Sequence, residues 1–209
     1  MNAIYDSICD TFDKTRHHPW PCVLNFLNAL PSDSKILDIG SGNGRHLSIR
    51  SRDCEVYGCD ISEKLIAKAK QHNKHVEIRK IQTAANLPYP DNYFDAVICI
   101  AVIHHIVDKN EREMAISEIK RVVKPGGKIL ITVWSTEAIK PKWKRLSTDG
   151  SDYLVPWNGN ITQGDKKKDF YLRFYHMFSK YEIMALKIKF DFDVISFEAN
   201  NWQLICTNN

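Results

Sequence analysis

At 209 residues, 44% apolar and 26% charged, the chain holds enough material for one α/β domain with a full core and too little for two of ordinary size. A net charge of +4 leans mildly toward anionic partners and excludes a strongly basic nucleic-acid tail. No apolar run approaches the roughly 18 residues that cross a bilayer, and no signal-peptide pattern opens the chain, so a soluble intracellular protein is expected. Tyr5, Ile8, Cys9 and Phe12 recur at helical spacing, and Pro19 and Pro21 bracket Trp20 before a second apolar run from Val23 to Leu30. Ile36–Ile39 and Val56–Cys59 read as buried strands, with a short helix expected from about Arg45. Ser62 caps a helix from Glu63 to Gln71, and Val76–Ile81 alternates like an edge strand.

Further along, Phe94–Ala101 is a central strand, and Asp108 with Glu111 has capping-box spacing for the next helix. Lys124-Pro125-Gly126-Gly127 should stop that helix before a strand from Lys128 to Trp134. Residues 135–170 read as polar, basic and irregular, and a segment of that length is usually functional or disordered. Between Lys140 and Arg173 stand Lys140, Lys142, Lys144, Arg145, Lys166, Lys167, Lys168 and Arg173, against Asp149, Asp152, Asp165 and Asp169. Tyr181–Lys189 is a last helix, and Phe192–Glu198 pairs with Trp202–Thr207 across Asn200-Asn201. Strands alternating with helices and ending in a hairpin give an α/β fold, a mostly parallel sheet with one reversed strand. The six cysteines show no zinc spacing, so no metal site is expected, and Cys59 and Cys99 sit in apolar runs as small core residues do.

The most informative stretch is Ile36-Leu37-Asp38-Ile39-Gly40-Ser41-Gly42-Asn43-Gly44, with Asp60 twenty residues beyond Gly40. Glycines at a strand end let the backbone turn sharply and approach a ligand. An acidic residue ending the next strand accepts hydrogen bonds from ribose hydroxyls. Arg45 stands where a dinucleotide fingerprint needs its third glycine. What remains is a nucleoside without a pyrophosphate, and S-adenosylmethionine (SAM) fits.

These motifs, with Lys124-Pro125-Gly126-Gly127, resemble the class I SAM-dependent methyltransferases over roughly residues 33–134. That resemblance implies a Rossmann-like, seven-stranded sheet with helices on both faces. A narrower resemblance runs almost end to end. It is carried by Tyr5-Asp6, Thr15-Arg16, Pro19-Trp20-Pro21, Leu87-Pro88-Tyr89-Pro90-Asp91 and Ile100-Ala101-Val102-Ile103-His104-His105. Val133-Trp134-Ser135, Leu154-Val155-Pro156-Trp157, Arg173-Phe174-Tyr175-His176-Met177-Phe178 and Asn201-Trp202 complete it. Together they resemble the eukaryotic tRNA wobble-uridine carboxymethyl methyltransferases, which esterify the carboxylate of 5-carboxymethyluridine in the anticodon. The resemblance implies one domain over 1–209, with a helical cap over 1–32 and a basic substrate-binding insertion over 135–175. It also implies a tRNA anticodon loop as substrate, a small zinc-binding methyltransferase activator as partner, and a cytoplasmic location, with the nucleus as a second option. The expected cofactor contacts are Tyr5, Asp38, Gly40, Ser41, Gly42, Asp60, Ile61, Gln82, Thr83, Ile100 and His105. The family often has cysteine where Ser41 stands. It also has an acidic residue for the adenine amino group where Thr83 stands beside Gln82, so here that contact falls to an amide, a hydroxyl or the backbone.

A carboxylate nucleophile has a solution pKa near 4 and needs no general base at neutral pH. It needs aiming, desolvation and a measured cationic contact, for which the planar guanidinium of arginine is suited. Arg16, His104 and Arg173 are the candidates for that work. Trp134, Trp143, Tyr175, His176, Lys166, Lys167 and Lys168 are candidates for holding the RNA. Of the tryptophans, Trp143 between two lysines is the most suggestive platform for a base. His17, His18, His46, His72 and His75 read as surface residues. Two other functions fit the glycine motif: a methyltransferase for a small quinone, sterol or acid, and a non-catalytic scaffold. An apolar lid would mark the first, and the intact Gly40-Ser41-Gly42 turn with Asp60 speaks against the second.

Overall fold

The computed structural model describes residues 2–15, 18–157 and 171–209. Arg16, Lys166, Lys167 and Lys168 lie outside the described residues. Helices α1 (Asn2–Lys14) and α2 (Pro21–Asn28) precede strand β1 (Lys35–Ile39). Then follow β2 (Glu55–Asp60), α3 (Glu63–His72), β3 (Glu77–Lys80), β4 (Phe94–Ile100), α4 (Lys109–Val122) and β5 (Val123–Trp134). After β6 (Lys144–Arg145), β7 (Asp152–Pro156) and β8 (Leu172–His176), the chain closes with α5 (Lys180–Phe190), β9 (Val194–Glu198) and β10 (Asn201–Thr207). Three helices carry side-chain caps. Ser62 Oγ accepts from Leu65 N at 3.2 Å, Asp108 Oδ1 from Glu111 N at 2.8 Å, and Ser179 Oγ from Glu182 N at 3.2 Å.

Seven strands form one sheet in the order β3-β2-β1-β4-β5-β10-β9. Only β10 runs against its neighbours, so the expected architecture holds. Alternation along the central strands buries both faces. Leu37, Ile39, Val97, Cys99 and Ile131 pack with Ala115, Ile116 and Ile119 of α4, whereas Ile36, Ile98 and Leu130 pack with Val23 and Leu27 of α2.

Three local expectations are corrected. Residues 45–53 form successive tight turns rather than a helix, with Leu47 N bonded to Gly44 O and Ile49 N to His46 O. The cause is competition from side chains: Ser51 bonds back to Ser48 O, and Arg50 ties Asp53 to the carbonyls of Leu30 and Pro31. The segment Lys124–Gly127 is a bulge within β5, because Phe94 pairs with Val123 and Ala96 with Lys128. Finally, much of the region read as irregular is ordered, with β6, β7 and β8 forming an antiparallel sheet. Tyr153, Val155, Tyr175 and Met177 form one buried cluster there with Ala138 and Trp143.

Candidate active site

A cavity of about 400 Å³ opens at the C-terminal ends of β1, β2 and β4, where ligands sit in open α/β sheets. One wall is the turn after β1. Gly40 has φ +69°, and a Cβ there would lie 2.3 Å from Val102 Cγ2. The turn spends its own donors internally: Gly40 N and Ser41 N both bond to Cys59 O, and Gly42 N bonds to Asp60 Oδ2 at 2.8 Å. It therefore offers no phosphate nest, in keeping with a nucleoside that lacks a pyrophosphate.

Asp60 also accepts from Ser62 N at 2.8 Å through Oδ1. Two backbone donors leave lone pairs on both oxygens for ribose hydroxyls. Burial raises its carboxyl to about 6, with the Ser62 and Gly42 N–H groups pulling the other way. Ser41 Oγ is buried without a hydrogen-bond partner, as a polar atom awaiting a ligand would be.

The opposite wall is aromatic and cationic. The single helical turn Ile103–His105 brings two imidazoles under the small sheet. His104 is fully buried, and its Nδ1 accepts from Trp134 N at 3.3 Å. Its proton therefore sits on Nε2, which has no partner. Burial holds His104 well below the usual histidine range, helped by His105, Arg173 and His176, so it is a neutral donor rather than a base. His105 Nδ1 donates to Phe174 O at 2.9 Å, so its Nε2 accepts from the Tyr5 hydroxyl at 2.7 Å. Burial lowers His105 to about 3 and pushes the Tyr5 phenol upward.

Arg173 is buried, with its guanidinium 4.7 Å from the Trp157 ring centre and 5.1 Å from that of Tyr175. Its Nε is unpartnered, and no carboxylate among the described residues forms an ion pair with it. Tyr175 in turn stacks on His104, with ring centres 4.9 Å apart.

Of the expected site residues, Tyr5, Gly40, Ser41, Gly42, Asp60, Ile61, Gln82, Thr83, Ile100, His104, His105, Trp134, Arg173 and Tyr175 line the cavity. Asp38 lies beneath it, 3.6 Å from His46. Trp143 is no open platform: it is buried and stacked behind Trp134 at 5.8 Å. His176 is likewise buried away from the cavity. Its Nδ1 meets Asp152 Oδ1 at 2.7 Å and its Nε2 meets Glu182 Oε1 at 2.9 Å, which ties the small sheet to α5. His46, read as a surface residue, is buried and lines the cavity with Phe12, Trp20, Arg45 and Glu111. Those four were visible only as a packed helix, a Pro-Trp-Pro segment, a missing glycine and a capping box. Among the described residues no His, Cys, Asp and Glu group is placed to hold a metal ion, and no helix is long and apolar enough to cross a membrane.

Residues 37–131 match the family model of a methyltransferase domain. The tRNA (carboxymethyluridine(34)-5-O)-methyltransferase of Arabidopsis thaliana is 43% identical over 163 residues, which cover 76% of this chain and 39% of that protein. The chain thus spans well under half of the plant relative's length. The protein of the same name from Schizosaccharomyces pombe is 32% identical, with 100% of this chain and 96% of that one covered. The CcbJ methyltransferase of Streptomyces caelestis superposes with a TM-score of 0.72 over 97% of this chain and 96% of its own, at 13% identity, a likeness of fold. With near-complete coverage by the yeast relative and a methyltransferase domain over the glycine turn, the chain belongs to the tRNA (carboxymethyluridine(34)-5-O)-methyltransferase family.

Proposed function

We propose that the chain is a SAM-dependent tRNA methyltransferase that esterifies the carboxylate of 5-carboxymethyluridine at the wobble position of the anticodon. The residues present fit the cofactor. The Gly40–Gly42 turn leaves room for a close approach, Asp60 has free lone pairs for the ribose, and Tyr5, Ile61, Gln82, Thr83 and Ile100 complete the lining. When bound, SAM supplies a methyl group on a positively charged sulfur. Arg173 and the Nε2–H of His104 would hold the substrate carboxylate and aim it at that carbon, while Asp60 and the Gly40–Gly42 turn would hold the donor. No proton moves, which suits a wall whose histidines are held neutral.

The observation that carries this reading is Arg173, a buried guanidinium with no acidic partner among the described residues, on the cavity wall beside the free Nε2–H of His104. A buried cation without an acidic partner is costly, and a carboxylate from the substrate is the group that relieves it. The aromatic faces of Tyr175 and Trp157 flank the planar guanidinium and shield it from water. For the RNA itself, exposed Lys140, Lys142 and Lys144 supply phosphate contacts on the described part of the 135–175 insertion. The family's small zinc-binding activator is the proposed partner, added along the free edge of β3.

Mass spectrometry of nucleosides tests the reading, after incubation of purified chain and activator with SAM and tRNA carrying carboxymethyluridine. The methyl ester should form, and Arg173→Ala should slow it by about 100-fold, because it removes both positioning and charge stabilisation. Equal methylation of tRNA with an unmodified wobble uridine would overturn the assignment.

A further inference from the structure

The base end of the cavity has an acidic group that no motif announced. Thr83 Oγ1 donates to Glu111 Oε1 at 2.6 Å, and both residues line the cavity beside Gln82, Ile106 and Val107. Glu111 stands in the first turn of α4, where a glutamate at capping-box spacing ordinarily folds back onto the N-cap backbone. Here Glu111 N bonds to Asp108 Oδ1, while the carboxylate turns outward to Thr83. The Thr83 hydroxyl is itself oriented, since Ala85 N donates to its oxygen at 3.2 Å and leaves its hydrogen for Glu111. With Oε1 so held, Glu111 Oε2 has no hydrogen-bond partner among the described residues.

Two carboxylates line the described cavity, Asp60 and Glu111. Ile81 N bonds to Asp60 O at 2.9 Å, so the chain leaving β3 begins beside Asp60 and runs through Gln82 and Thr83 to Glu111. If the ribose sits on Asp60, the base extends along that run, between apolar Ile61, Ile106 and Val107. An adenine there presents an exocyclic amino group, a donor that seeks an acceptor, and an anionic acceptor makes the stronger bond.

We propose that Glu111, held in place by Thr83, accepts the hydrogen bond of the cofactor's adenine amino group and makes the site select adenine over hypoxanthine. This rests on the SAM reading of the cavity. Glu111 touches the base, and Thr83 is a positioning residue that acts through it. The pair replaces, from a helix, an acidic residue that the resemblance places at Thr83 itself.

Calorimetry with two product analogues tests it: S-adenosylhomocysteine, and S-inosylhomocysteine, in which a carbonyl replaces the amino group. Wild type should prefer the adenine compound at least tenfold or so, about the worth of one hydrogen bond to a charged group. Glu111→Gln and Thr83→Val should each shrink that preference several-fold, by weakening the adenine compound alone, and Thr83→Ser should restore it. Neither change touches the backbone bond to Asp108, and melting of the ligand-free variants reports whether they fold. A purely structural role for Thr83 would weaken both compounds alike. A preference unmoved in Glu111→Gln overturns this inference and leaves the cofactor reading standing. A wild-type chain that binds neither compound overturns both.

Discussion

At the scale of single residues, Asp60 shows how one carboxylate serves structure and ligand together. Its oxygens fix the glycine turn through Gly42 N and the start of α3 through Ser62 N. Burial raises its pKa to about 6, above the unfolded value near 3.9, so the native state binds the proton more tightly than the unfolded chain. Between those two values stability therefore falls as pH rises, and above about 6 the ionised group is a standing cost to the fold. A ligand whose hydroxyls donate to the carboxylate offsets that cost. Affinity for SAM should accordingly drop as pH is lowered through about 6, measured by calorimetry. Asp60→Asn should bind more than tenfold more weakly, since two charged-group hydrogen bonds are worth roughly 1.5–3 kcal/mol each, with no step near that pH. A wild-type profile flat from neutral pH down to mild acid would refute the ribose role. The glycine turn and Asp60 were legible because the motif is contiguous and the spacing fixed. His46 and Glu111 were not, because a polar residue in a turn or a first helical turn looks the same in sequence whether it faces solvent or a cavity.

Among the elements, α1 is the one that closes the site. Asp6, Asp10 and Asp13 fall on one face of it at spacings of four and three residues. Asp6 accepts from Ser62 Oγ at 2.6 Å and from Lys64 N at 3.2 Å, and Asp13 accepts from Asn43 Nδ2 at 2.8 Å. The Asp10–Lys68 pair at 3.1 Å is solvent-exposed and contributes little. The other face carries Tyr5 to His105, and Phe12 against Trp157, which itself bonds to Thr11 Oγ1. So α1 joins the glycine turn to the small sheet, held by polar contacts on one face and by Tyr5, Thr11 and Phe12 on the other. Asp6→Ala removes two of these contacts and should speed hydrogen exchange of the α1 amides about tenfold or more, while the amides of β4 and β5 stay protected. Exchange in α1 equal to wild type would show that the apolar face alone holds it. Such elements were readable where apolar periodicity and a capping side chain agreed, as at Ser62, Asp108 and Ser179. The β6-β7-β8 sheet was not, because lysines interrupt it and its strands are short. Its cohesion comes from Trp143, Tyr153 and Tyr175 meeting across distant segments.

At the scale of the whole molecule, the seven-stranded sheet ends, among the described residues, in two edge strands, β3 and β9. The sequence marked Val76–Ile81 as an edge, and β3 lies there, but Ile78 and Ile81 are both buried, at 4% and 5% exposure. Ile78 packs on Leu47, Ile66 and Ala69, so an aspartate at either position would damage the core before it reported on a partner. The backbone gives a cleaner probe. Ile81 N is bonded inward to Asp60 O, and donors alternate along a strand, so the N–H of Lys80 points outward. Lys80→Pro removes that donor and places a ring in the path of an added strand, at an edge position where proline is tolerated. The substitution also loses the exposed contact between Lys80 and Glu63, worth little to the fold. On the proposed reading, co-expression of Lys80→Pro with the zinc-binding activator should yield a chain that folds and melts near wild type yet no longer co-purifies with it. Co-purification at wild-type yield would remove the β3 edge as the docking strand. A wild-type chain that is soluble, monomeric and fully active without any second protein would remove the partner and leave methyl transfer untouched.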